Sequence, residues 1–208
     1  AVSPFVDGVH VGSAGSETFS VYNPATGALM VEYPAGCPAD ADLAVTVARK
    51  SFEAGVWCNR PALEKKKILF RWADLIQQNA AKLDALDALE MGKPIGLPSF
   101  TAAIAADFLR FNAEASDKIL GAVLPSDGLS TVLQARGPRG VVAAVVPWNF
   151  PTYNCLLKLA PAIAAGNSVV LKPSELAVQS ALLVAKLALE AGLPPGVLNV
   201  VPGTGAQV

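Results

Sequence analysis

A single histidine, three widely spaced cysteines and a formal net charge of -1 close off several chemistries in this 208-residue chain. With His10 alone, there is no histidine to partner a nucleophilic cysteine as a base and no multi-histidine metal site. Cys37, Cys58 and Cys155 are odd in number and form no C-x-x-C pair. Neither a disulfide framework nor a metal centre is therefore expected, and a reducing compartment is the simplest setting. Near-neutral charge offers no general attraction to nucleic acid or to an anionic membrane. No apolar run reaches membrane-spanning length without Lys, Asn, Gln or Pro interrupting it, and no charged segment followed by an apolar one opens the sequence. The expectation is a soluble, cytoplasmic protein with no metal, no nucleic-acid partner and no membrane partner. Charged residues make up only 16% of the chain and hydrophobic ones 52%, which is enough to bury a sizeable core. No internal repeat or low-complexity tract is present.

What is there divides into three stretches. Residues 1–38 read as short extended pieces, among them Val9-His10-Val11 and Phe19-Ser20-Val21-Tyr22, with Asn23-Pro24-Ala25-Thr26-Gly27 as a turn. From Asp40 the period changes to that of helices. A first helix, capped by Asp40 or Asp42, carries Leu43, Val47 and Phe52 and is closed by Gly55. A second runs from about Leu63 to Asn79 with Ile68, Leu69, Trp72, Leu75 and Ile76 on one stripe, and Lys65, Lys66 and Lys67 on a solvated face. A third shows Leu83, Leu86 and Leu89 before Gly92, and a fourth shows Phe100, Ile104, Phe108, Phe111 and Ile119 before Gly121. Residues 130–136 alternate like a strand with one wet face. From Val141 the order is strand (141–146), helix (152–165), strand (168–172), helix (176–191), strand (197–201). The strands are short continuous apolar runs, as in a parallel sheet covered on both faces. Right-handed crossovers would then bring all three strand C-termini to one edge. The expected organisation is a β lead-in with a helical part over 1–122, a β arm over 123–140 and a βαβαβ unit over 141–208.

Open α/β sheets bind nucleotides at such an edge. Asn149 directly follows the first strand, and its amide offers N–H donors to an oxygen that gains negative charge; an Asn there also serves turns through local hydrogen bonds. Lys172 ends the second strand, and Pro173 behind it holds the chain extended. Glu175 falls at the start of the next helix, where a carboxylate is favoured by the dipole even without a ligand. Cys155, six residues after Asn149, lies within an apolar helical segment and reads as a buried, inert thiol. Gly203-Thr204-Gly205 opens like a dinucleotide fingerprint but does not complete one.

The segments Gly140-Val141-Val142, Pro147-Trp148-Asn149-Phe150-Pro151, Lys158-Leu159-Ala160-Pro161-Ala162, Ala165-Gly166-Asn167, Lys172-Pro173-Ser174-Glu175, Ala191-Gly192-Leu193-Pro194 and Asn199-Val200-Val201-Pro202-Gly203 together resemble the cofactor domain of the NAD(P)-dependent aldehyde dehydrogenase superfamily. Asn23-Pro24-Ala25-Thr26-Gly27 and Glu90-Met91-Gly92-Lys93-Pro94 extend the likeness toward the N-terminus. The resemblance implies an α/β fold, the N-terminal part of a Rossmann-like NAD-binding domain with an open parallel sheet, flanking helices and a β-hairpin arm. It implies that Asn149 stabilises the oxyanion of the covalent intermediates and that Lys158 has a proton-relay role, against which stands a lysine simply reaching solvent. Val146, Pro147 and Trp148 would line the cofactor cleft, and Lys172, Pro173, Ser174 and Glu175 would hold the adenosine ribose. A carboxylate at Glu175 repels a 2'-phosphate, so NAD is expected over NADP. A small aldehyde is the implied substrate, with Tyr153, Asn154 and Leu157 on its path, and the hairpin around Val132 to Val141 implies a homodimer or homotetramer.

The sequence reaches Val208 before any residue that matches the family's nucleophilic cysteine or its general-base glutamate. These 208 residues by themselves are expected to be inactive and to bind cofactor weakly. A non-catalytic dinucleotide-binding or assembly module is one alternative, and an acyl-phosphate or acyl-thioester reductase of the same fold is another.

Overall fold

The computed structural model describes residues 4–208, so the first three residues of the β lead-in lie outside the described residues. In chain order the elements are β1 (Phe5–Val6), β2 (Val9–His10), β3 (Thr18–Tyr22), β4 (Leu29–Pro34), α1 (Pro38–Glu53), α2 (Ala62–Gln78), α3 (Ala80–Met91), α4 (Ala102–Ala115), β5 (Ala122–Leu124), β6 (Val132–Gln134), β7 (Val141–Val145), α5 (Pro151–Ala164), β8 (Ser168–Lys172), α6 (Gln179–Ala191) and β9 (Leu198–Val200). The three apolar runs after Gly140 form adjacent parallel strands, with Val145 opposite Lys172 and Leu171 opposite Val200. Their C-terminal ends share one rim, as right-handed crossovers require.

The five-stranded sheet has the order β2-β1-β9-β8-β7 and is mixed rather than wholly parallel. The ribbon β1–β2 closes the outer edge of β9 through antiparallel pairing of Phe5 with Val200. Asp7 N–H also donates to Asn199 Oδ1 at 3.0 Å. Val9-His10 is extended as its sequence suggests, but strands of two residues are too short to show alternation, so their place at this sheet edge is not marked in the pattern. Two separate ribbons complete the β content: β3 with β4, and β5 with β6.

One core serves both halves of the chain. Leu69, Trp72 and Ile76 of α2, Leu109 of α4, Leu156, Leu159 and Ile163 of α5, Val169 and Leu171 of β8 and Val184 of α6 are all buried in it. Buried indoles need a hydrogen-bond acceptor. Trp72 Nε1–H donates to Val184 O at 3.2 Å and Trp57 Nε1–H to Ile163 O at 2.8 Å.

Three helices turn faces inward that their large apolar residues do not mark. On α4 the buried side is Ala102, Ala105, Ala106, Leu109 and Ala113, while Ile104 is exposed and Phe111 is 68% exposed. Small side chains let α4 approach its neighbours closely, so its larger residues remain outside. On α1 the N-cap is Cys37, not an aspartate, and Ala44 and Ala48 are buried where Leu43 was expected. Asp40 sits at the third helical position, where its carboxylate accepts from Cys37 N–H at 2.9 Å. On α3, Leu83 is buried together with Asp87 and Glu90, and Leu89 points outward.

Thr101 caps α4 by accepting the Ile104 N–H at 3.3 Å. Thr101→Ala should lower stability by about 1 kcal/mol. A shift of the urea midpoint with unchanged slope would show it, and an unmoved midpoint would mean that solvent replaces the cap without cost.

Candidate functional site

The strand geometry brings the two sequence signals side by side. Val145 of β7 is paired with Lys172 of β8, and beyond that pair Val146 N–H donates to Lys172 O at 3.1 Å. The segments 146–149 and 172–175 therefore leave the sheet at the same level on neighbouring strands. Val146 is buried and anchors its segment, Pro147 is exposed, Trp148 is 49% exposed and Asn149 is half-buried.

Asn149 lies immediately before the first turn of α5. Its carbonyl accepts from Asn154 Nδ2 at 2.6 Å, whereas its side-chain amide has no hydrogen-bond partner among the described residues. Phe150 adopts φ +50°, a left-handed conformation rare for a bulky side chain. Its ring stacks on Phe100 at 4.4 Å between centroids, and Phe100 meets the edge of Tyr153 at 5.1 Å. Phe150 N–H also points at Met91 Sδ, 2.9 Å away. The Phe100 ring and Met91 Sδ hold the strained residue, and Tyr153 braces Phe100 in turn, which fixes the peptide that bears the free amide.

On the neighbouring segment, Pro173 and Ser174 are buried and Ser174 Oγ accepts from Leu176 N–H at 3.2 Å, forming a tight turn. The Lys172 side chain is only 15% exposed. Its ammonium donates to Pro173 O at 3.0 Å and lies 3.8 Å from Glu175 Oε2. An ammonium carries three hydrogens, so beyond this bond and this ion pair it retains donor capacity. Burial pulls its pKa below the ordinary lysine range, and the Glu175 carboxylate opposes that pull. An ammonium with donor capacity to spare beside an acceptor carboxylate can engage a vicinal pair of hydroxyls, each of which can both accept and donate.

Lys158 is not part of this cluster. It is exposed on α5, about 10 Å along the helix from Pro151 at 1.5 Å per residue. Cys155 is fully buried, and burial, with the nearby acidic pair Asp87 and Glu90, pushes its thiol well above the usual range. Such a thiol is not a nucleophile. Gly203 serves packing: a Cβ there would come within 2.5 Å of Val208 Cγ2, and the adjacent Pro202 O accepts from Gly36 N–H at 2.7 Å.

Beneath the rim is a group that the sequence pattern did not mark. Asp87 and Glu90, on the inward side of α3, reach the first turns of both α5 and α6. Acidic residues three apart on the face where leucines were expected are the only signal that points to them. Among the described residues no cluster of three or more His, Cys, Asp or Glu is arranged for a metal ion, and no helix is long and apolar enough to cross a membrane.

The family model for the aldehyde dehydrogenase family matches residues 10–208. The chain is 42% identical to the NADP/NAD-dependent aldehyde dehydrogenase PuuC of Escherichia coli (strain K12), covering 98% of this chain and 41% of that protein. It is 41% identical to the aminoacetaldehyde dehydrogenase of Pseudomonas aeruginosa, again over 98% and 41%. The crystal structure of the aldehyde dehydrogenase KauB from Pseudomonas aeruginosa superimposes with a TM-score of 0.95 at 44% identity, covering the whole of this chain and 42% of that one. An indole-3-acetaldehyde dehydrogenase complexed with NAD+ gives a TM-score of 0.95 at 41% identity with the same coverage. The chain thus spans about two fifths of the length of these relatives.

Proposed function

Because the chain belongs to the aldehyde dehydrogenase family, we propose that it supplies the cofactor-binding rim and the oxyanion donor of an enzyme that oxidises a small aldehyde to a carboxylic acid with NAD. The observation that carries this reading is the under-used Lys172 ammonium beside Glu175, on the strand next to the one that ends in Trp148 and Asn149. When bound, NAD would supply the hydride acceptor. Lys172 would donate to a ribose hydroxyl and Glu175 would accept from one, while Val146, Pro147, Trp148, Pro173 and Ser174 form the surrounding surface.

Asn149 would direct its amide N–H at the substrate oxygen as that oxygen becomes negative, and donors placed in advance stabilise such charge without reorganisation. In this reading, thiolate addition and thioester hydrolysis would use a cysteine and a glutamate from outside this rim. Lys158, exposed on α5, would act on a proton only through intervening water. In this reading the 208 residues alone turn over no aldehyde.

Glu175 supports NAD as the preferred cofactor, since its carboxylate would face the 2'-phosphate of NADP. The β5–β6 ribbon would join subunits into a homodimer or homotetramer: Val123 and Leu133 are directly opposed, 72% and 70% exposed, and form an apolar surface that association would cover. Three free thiols fit a cytoplasmic setting.

Titrating the enzyme that carries this chain with NAD, followed by the fluorescence of half-exposed Trp148, tests the rim. Lys172→Ala should raise Kd about tenfold, the effect of losing one hydrogen bond to a charged group. An unchanged Kd would remove Lys172 from the cofactor site, and absence of aldehyde-dependent NADH formation by the wild type would remove the dehydrogenase reading itself.

A further inference from the structure

The buried acids of α3 connect two helix starts that the sheet leaves separate. Glu90 Oε1 accepts the N–H groups of Val178 and Gln179 at 2.9 and 2.8 Å, and Oε2 accepts that of Ser180 at 3.3 Å. These are the unpaired donors of the first turn of α6, which otherwise lacks a side-chain cap. Asp87 Oδ1 lies 2.8 Å from Thr152 Oγ1 in the first turn of α5 and 2.8 Å from Ser180 Oγ in α6. The segment of Asn149 leads directly into α5 and that of Glu175 into α6. One face of α3 thus sets the spacing of both.

Counting protons assigns the charge. Ser180 Oγ lies 2.8 Å from Asp87 Oδ1 and 3.1 Å from Glu90 Oε2, yet a hydroxyl has one hydrogen to give. Two ionised carboxylates would leave one of these as an oxygen–oxygen contact with no proton between. Burial raises both carboxyls above the ordinary range, but Glu90 has three backbone donors and the positive end of α6 to oppose it, and these favour its charged form. Asp87 has Oδ2 buried with no partner, an arrangement a full carboxylate charge would make costly. Around the pair lie Lys93, the Cys155 thiol on α5, pushed up by burial and by the neighbouring acids, and the Tyr33 hydroxyl on β4, pushed up by burial and by Glu90. Lys93 is engaged by Asp84 at 3.1 Å, so it does not neutralise Asp87 directly.

We propose that Asp87 and Glu90 are positioning residues that hold the Asn149 and Glu175 segments in register, as a carboxyl pair bridged by Ser180 in which Asp87 keeps its proton and Glu90 is ionised. The assignment of a function to that register rests on the cofactor-rim reading above. Asp87 donates to Ser180 Oγ, Ser180 donates to Glu90, and Thr152 donates to Asp87, which satisfies every hydroxyl hydrogen.

Three variants of the enzyme that carries this chain test this, read by amide hydrogen exchange and by NAD affinity. Glu90→Gln puts an NH2 group against the Ser180 N–H; exchange across residues 178–180 and the NAD Kd should each rise about tenfold. Asp87→Asn places an amide that can donate to both hydroxyls, and should stay within about twofold of wild type in both measurements, whereas Asp87→Ala should match Glu90→Gln. Unchanged exchange in Glu90→Gln, or Asp87→Asn as damaging as Asp87→Ala, would overturn the proposal. If the wild type binds no NAD, the cofactor reading falls while the exchange comparison still decides the clamp.

Discussion

Asn149→Ala in the enzyme that carries this chain should lower kcat by about 10²–10³-fold, the cost of removing one oxyanion donor, with the NAD Kd nearly unchanged. The separation follows from how the turn is built. Asn154 Nδ2 donates to the backbone carbonyl of Asn149, and Asn154 N–H donates to Phe150 O at 2.9 Å. Neither bond involves the side chain that the substitution deletes, so the start of α5 should stay in place. A loss confined to kcat is the sign of an interaction made chiefly in the transition state. Asn149→Asp should be at least as damaging, since a carboxylate there repels the oxygen that must become negative. A steady-state and single-turnover comparison checks both. Retention of wild-type kcat in Asn149→Ala would return this residue to a turn-forming role.

The largest expected effect on stability comes from Trp72→Ala, about 3–5 kcal/mol. Trp72 is fully buried between α2 and α6 and is tied to Val184 O through its indole N–H. The substitution leaves a cavity and also removes the indole's hydrogen bond to a carbonyl that lies within the α6 ladder, so the cavity dominates the loss. Because α6 follows the segment of Lys172 and Glu175, local loosening there should also weaken cofactor binding. Trp72→Phe separates the two contributions: it fills most of the volume and loses the indole hydrogen bond, so its cost should be about 1–2 kcal/mol, the scale of one hydrogen bond plus a small residual void. Denaturant unfolding of both variants gives the comparison. Equal losses in the two would show that packing volume at this position matters little.

The parallel unit was legible almost residue for residue, because strands buried on both faces must be continuous apolar runs and their flanking glycines and prolines mark the ends. β8 begins and ends where the pattern places it, and β7 and β9 are shorter by one or two residues. The positions of Asn149 and Lys172 relative to the sheet were legible for the same reason, since Lys172 ends β8 and Asn149 lies in the short segment between β7 and α5. Glu175, expected at a helix start, instead lies in the turn before α6, which begins at Gln179. Less could be read from the helices. A large apolar side chain states a preference for burial, but α4 shows that close approach through alanines can win, leaving Phe111 outside. Asp87 and Glu90 were hidden more deeply, since a buried acid is explained only by partners over sixty residues away in sequence, Thr152 and Ser180. Periodicity within one helix carries no information about such partners. Of the β1–β2 edge, Val9-His10 was read as extended, but its pairing through β1 with β9 was not, because two-residue strands have no period.

The left-handed Phe150 has a consequence for anyone who evolves this protein in the laboratory. A residue held in that backbone region costs of the order of 1 kcal/mol relative to glycine or asparagine. A library sorted solely for heat tolerance should therefore drift at position 150 toward those smaller residues, trading away the ring that rests on Phe100. The winners of such a selection would melt later and turn over more slowly, and the two traits should be screened in parallel.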